Sequence, residues 1–150
     1  MYGKWFYMLE WPRPMVEPQT IMALEAAALV SWLEFACALP QQTITGTRFI
    51  FKCDNEPFVE TVLRGRSSHP VFSVLLDKLH TLQCHYSFDL YPMYVRSEDN
   101  PLADALSRND LPDFYARMYE MHGLLPCQLE QVDMSKRLLS LTSTMNSLLN

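Results

Sequence analysis

A chain of 150 residues, 49% hydrophobic and 19% charged, is long enough to bury one ordinary core, and its composition excludes a largely disordered protein. The net charge of -5 argues against a module that binds nucleic acid tightly by itself, because a phosphate-binding surface needs clustered Lys and Arg. The one apolar run of membrane-spanning length, Ile21 to Leu39, carries Glu25 and Glu34, each costing roughly 2.5 to 3.5 kcal/mol at a bilayer centre.

That run therefore reads as a soluble helix. The apolar start from Trp5 to Leu9 is too brief for a signal peptide and is cut by Glu10 and Pro12, so an intracellular location, cytoplasmic or nuclear, is expected, with no membrane partner. Cys37, Cys53, Cys84 and Cys127 have no CxxC spacing and are expected as reduced thiols rather than zinc ligands or a redox pair.

In chain order, Trp5 to Trp11 predicts an aromatic strand, and Pro12, Pro14 and Pro18 force an irregular connection. Thr20 is placed to cap a long helix in which Ile21, Ala28, Leu29, Trp32 and Ala36 share one face. Glu25 falls on that face, and Glu34 falls on the opposite, solvent side. An acid among core-facing residues costs desolvation unless it is hydrogen-bonded or holds a cation, although an early helix turn also favours acids through the macrodipole.

Pro40 and the polar run Gln41 to Gly46 turn the chain into Arg48–Asn55, RFIFKCDN. Phe49, Ile50 and Phe51 predict a strand buried on both sides, with Asp54 at its carboxyl end and Pro57 in the first turn of the next helix. Ligands and chemistry gather at the carboxyl ends of strands in open α/β sheets, which makes Asp54 a candidate metal ligand or general base. The alternative is that Asp54 only starts that helix.

Phe58, Val59, Val62 and Leu63 predict a short amphipathic helix ended by Gly65, and Arg64 and Arg66 form a small basic spot on either side of it. Ser67 to His69 lead to a helix with Pro70 at its start and Val71, Val74, Leu75, Leu79 and Leu82 buried, while His80 and His85 lack partners at metal spacing. Tyr86 to Val95 predicts a strand whose Pro92 marks an edge or a bulge. In Asn100–Arg108, NPLADALSR, Asn100 is a cap, Pro101 opens the helix, and Leu102, Ala105 and Leu106 pack. Asp104 is off that face, where an exposed i,i+4 pair with Arg108 would be worth only about 0.3 to 0.5 kcal/mol. Asp113 to His122 predicts a further helix, and Met134, Leu138, Leu141, Met145 and Leu148 recur at helical spacing.

A Glu inside the first long helix, an Asp ending the next strand and an Asp in a late short helix form the kind of oxygen-ligand set that a magnesium-dependent phosphodiesterase needs. The motifs IMALEAAAL, FKCDNEPFVETV and NPLADALSR, in this order, resemble those of ribonuclease H domains in retroelement polyproteins, particularly of retrotransposons that encode a tyrosine recombinase. The resemblance implies an α/β fold, a ribonuclease H-like mixed sheet of five strands with helices on both faces, over residues 1–110. Residues 111–150 are left as a helical tail or the start of a following module.

It also implies hydrolysis of the RNA strand of RNA–DNA hybrids, with Glu25, Asp54 and Asp104 as catalytic metal ligands for two Mg2+ or Mn2+ ions. The first of the family's four acids, on the opening strand, has no counterpart, and the His before the last acid is missing from Val95–Asn100. On this reading the domain lacks its first strand or strands, and the Phe49–Cys53 strand loses a neighbour. Trp5–Trp11 or a second chain would fill the gap, so self-association through the open sheet edge or the tail is expected. The alternative is an inactive remnant of the same fold that serves as a protein interaction module.

Overall fold

A computed structural model of the chain describes residues 5–6, 21–39 and 44–134. The predicted strand beyond Phe6, the proline-rich connection, the Thr20 cap, the turn residues 40–43 and the helical repeat beyond Met134 lie outside the described residues.

The first long element is helix α1, Ile21–Ala38, rich in alanine and therefore in helix propensity. Its buried surface is wider than the predicted stripe: Ala23, Leu24, Ala26, Ala27, Val30 and Leu33 are buried, while Ala28 and Trp32 are only half-buried. The small side chains let α3, Pro70–Tyr86, pack closely along it through Val71, Phe72, Leu75 and Leu79. Glu34 is not on an open solvent side. It is half-buried and pairs with Lys78 of α3 at 2.7 Å, which offsets the charge where the two helices meet.

Strand β2, Arg48–Cys53, follows a turn at Gly46, and β1 is the two-residue strand Trp5–Phe6. Helix α2, Glu56–Arg64, and then α3 carry the chain across to β3, Asp89–Tyr94, which pairs with β2 in parallel from Arg48↔Asp89 to Cys53↔Tyr94. A parallel pair needs such a helical crossover. Gly65 closes α2 at φ +64°, a left-handed conformation that glycine adopts without a Cβ penalty.

Among the described residues β2 is covered on one face only, which departs from the prediction of burial on both sides. Phe49 and Phe51 point inward, edge-to-face against Phe88 and Phe58 at 5.3 and 5.7 Å. Arg48, Ile50 and Lys52 point outward, with Ile50 60% exposed, and Tyr91 and Met93 of β3 lie on the same outer face. Helices α1, α2 and α3 all pack on the inner face, so among the described residues the sheet has two strands and one helical layer. The molecule is thus mixed α/β with a small parallel sheet. Helices on both faces are not found among the described residues.

β3 begins later than predicted because α3 runs on to Tyr86 and closes with Ser87 at φ +53°. The amides of Asp89 and Val95 donate toward β2, to Thr47 and Cys53 carbonyls at 2.9 Å each. By alternation the missing N–H of Pro92 faces the far edge, so Pro92 costs no ladder bond and the register has no bulge.

β1 does not fill the place beside β2, as had been one expectation. It pairs in parallel with β4, Glu130–Gln131, in a separate sheet. Phe6 is instead drawn into a second small core with α4, Pro101–Ser107, and α5, Leu111–His122, tilted against Phe114 at 4.8 Å and edge-to-face with Tyr115 at 6.2 Å. Asn100 precedes α4 without a side-chain cap bond, whereas Asp110 caps α5 by accepting from the Asp113 amide at 3.1 Å. No helix among the described residues is long and apolar enough to cross a membrane.

Candidate metal centre

Packing of Phe51 against the buried Phe58 on the inner side of the sheet leaves the short link between β2 and α2 at the sheet's carboxyl edge, beside the second turn of α1. Glu25, Cys53 and Asp54 meet there, each offering one ligand atom within 4.8 Å of the other two. Glu25 is half-buried, Cys53 buried and Asp54 exposed. Glu25 shares its helical phase with the half-buried Ala28 and Trp32 rather than with the fully buried residues of α1, which corrects its predicted place on the core face, and its carboxylate has a polar partner.

That partner is Asn55, whose Nδ2 donates to Glu25 Oε2 at 2.8 Å. Asn55, not Asp54, is the N-cap of α2: its Oδ1 accepts from the Phe58 amide at 3.1 Å. The capping explanation of Asp54 therefore falls away. Asp54 Oδ2 instead accepts from Ser97 Oγ at 2.8 Å. Parallel pairing puts the carboxyl ends of β2 and β3 side by side, which brings the turn Ser97–Asp99 after β3 up to the end of β2.

Two carboxylates this close repel. Burial pushes the Glu25 carboxyl above its ordinary value, the Asn55 hydrogen bond opposes the rise and the charge of Asp54 adds to it. Burial likewise pushes the Cys53 thiol up to about 11, against the hydrogen bond that its sulfur accepts from the Asn55 amide. A protonated thiol is a poor ligand, and magnesium takes oxygen donors. The donor set fits a hard divalent cation held by Glu25 and Asp54, with an open face on the Asp54 side.

The third predicted acid stands outside this group. Asp104 lies in α4, where Arg108 takes its Oδ1 at 2.9 Å, the i,i+4 pair that the helical spacing predicts. Asn55 and Ser97 were missed as site residues. Asn55 had a legible signal, an Asn followed by Glu-Pro at a helix start, which is an N-cap pattern. Ser97 had none, since its contact with Asp54 depends on strand register. Comparison of the chain with protein-family models, with curated proteins and with solved structures gives no significant match.

Proposed function

We propose that this protein is a ribonuclease H-like nuclease of a retroelement polyprotein, hydrolysing the RNA strand of RNA–DNA hybrids inside the cell with Glu25 and Asp54 as metal ligands. One observation carries the chemistry: these two acids, on a helix and at a strand end, converge where a parallel sheet presents its carboxyl edge. The substrate rests on the resemblance of the three acid-bearing motifs, and Asp104 enters the site by that resemblance alone.

A bound Mg2+ or Mn2+ supplies water activation and charge neutralisation for phosphodiester hydrolysis. The chain's own residues set the conditions for it. Glu25 is oriented by Asn55, Asp54 is held by Ser97 and stays open to solvent, and the buried Phe58 with the half-buried Phe51 makes the inner side apolar.

A second reading, a catalytically inactive module of the same fold that binds another protein, is favoured by Asp104 being engaged by Arg108 and by the apolar outer face of Ile50, Tyr91 and Met93. A labelled RNA–DNA hybrid incubated with the full chain and magnesium separates the two. Shortened RNA that disappears with EDTA and with Asp54→Asn supports the nuclease. Intact RNA, from a chain that melts cooperatively and is stabilised by magnesium, overturns the catalytic assignment and leaves the binding module.

A further inference from the structure

Asn55 makes more bonds than a helix cap requires. Its Oδ1 accepts from the Phe58 amide at 3.1 Å, its Nδ2 donates to Glu25 Oε2 at 2.8 Å, and its backbone N–H donates to Cys53 Sγ at 3.4 Å. A side-chain amide has one acceptor end and one donor end. Because the start of α2 takes the acceptor end, the donor end must face Glu25, and the amide cannot flip without breaking the cap.

We infer that Asn55 is a positioning residue that fixes the orientation in which the Glu25 carboxylate is offered to a divalent cation, an inference that rests on the metal reading above. The Asn55 amide takes one of the roughly four lone-pair sites of this carboxylate and leaves the others for an ion. The arrangement ties the cation site to the first turn of α2: whatever seats α2 against the sheet also sets the Glu25 carboxylate. Groups that hold a metal ligand from behind are worth about 10-fold or more in metal affinity.

The positioning role can be separated from capping. Ser caps a helix about as well as Asn, but its hydroxyl is too short to span both partners, so Asn55→Ser keeps the cap and removes the strut. The experiment uses the full-length chain and Mn2+ alone, with free Mn2+ counted by electron paramagnetic resonance and the metal-free melt as a folding control. Wild type, Asn55→Ser, Glu25→Ala and the double variant are compared. The expected result is about a 10-fold or greater rise in the Mn2+ dissociation constant on Asn55→Ser when Glu25 is present, and less than about a 2-fold change when Glu25 has been replaced, because Asn55 acts through that carboxylate.

Mn2+ binding that needs Glu25 and Asp54 but is unmoved by Asn55→Ser overturns this inference alone. An equal loss with and without Glu25 also overturns it, since Asn55 would then act by another route. No Mn2+ binding by the wild-type chain overturns the metal reading, and this inference with it.

Discussion

Glu25→Gln is expected to raise the melting temperature of the cation-free chain at pH 7 while abolishing its stabilisation by magnesium. Glu25 and Asp54 present oxygens no further apart than 4.8 Å. At that separation two unit charges repel by about 0.9 kcal/mol in bulk water and by about 3.5 kcal/mol at an effective dielectric of about 20. Asp54 is exposed and Glu25 half-buried, which places the pair near the lower figure, at about 1 kcal/mol. Gln keeps a carbonyl oxygen to accept the Asn55 amide, so the contact survives while the repulsion goes. For a chain of 150 residues, about 1 kcal/mol corresponds to a rise of about 2 to 4 °C.

The gap between the two proteins also has a definite pH dependence. With its carboxyl raised above 4.5, Glu25 holds its proton more tightly in the native state than in the unfolded chain. Its contribution to stability is therefore fully present below the ordinary carboxyl range and is lost as pH rises through the raised value. Wild type and Glu25→Gln should converge at pH 4 and separate at pH 7. Magnesium at ten times its dissociation constant would add about 1.4 kcal/mol to the wild type and nothing comparable to the variant. Circular-dichroism melts in EDTA and in magnesium at both pH values provide the measurement. A fall of several degrees for Glu25→Gln in EDTA at pH 7 would refute the repulsion argument, showing that the carboxylate itself stabilises the fold.

Ile50→Lys should change stability by less than about 0.5 kcal/mol by urea titration, because the side chain lies on the open face of β2; a loss above about 3 kcal/mol would mean that this face is covered. Asp104→Asn should cost about 0.3 to 0.5 kcal/mol, the worth of its pair with Arg108, and leave the magnesium-induced rise in melting temperature unchanged; a lost rise would place Asp104 at the metal. Iodoacetamide at pH 7.5, followed by peptide mass mapping, should label the exposed Cys84 and Cys127 well before Cys37 and Cys53, whose thiols are both pushed up to about 11 by burial. Early labelling of Cys53 would show that the site opens to solvent.

The local signals were the most legible part of the fold. Pro57, Pro70 and Pro101 mark helix starts, Gly65 marks a helix end, and all four act through backbone geometry that needs no distant partner. The covering of β2 was misread because Phe49, Ile50 and Phe51 are consecutive apolar residues that hide the alternation, although Arg48 and Lys52 on either side of Ile50 carry it. The width of the buried surface of α1 was hidden for a similar reason, since alanine marks neither face strongly. Within the site, helical phase put Glu25 on the core face, yet it lies on the half-buried side of α1 with Ala28 and Trp32, because the alanines conceal which face is covered. Its meeting with Asn55, and that of Asp54 with Ser97, were not readable, because both depend on how separate elements dock. Asp104 shows the converse: its partner four residues on was readable, and that local pair is what the structure holds.

The pairing of Trp5–Phe6 with Glu130–Gln131 has a consequence for how the chain assembles. These segments lie near opposite ends of the described chain, and closing a loop of that length costs about 4 kcal/mol in chain entropy. A pair of two-residue strands cannot supply that by its ladder bonds alone, so it is expected to close late, onto the surface of α4 and α5 that receives Phe6. Phe6 then acts as the pin of a late clasp. In native-state hydrogen exchange the amides of β1 and β4 should open together and well before those of β2 and β3, and shortening Phe6 to Ala should release the clasp while the parallel sheet at the candidate metal centre stays closed.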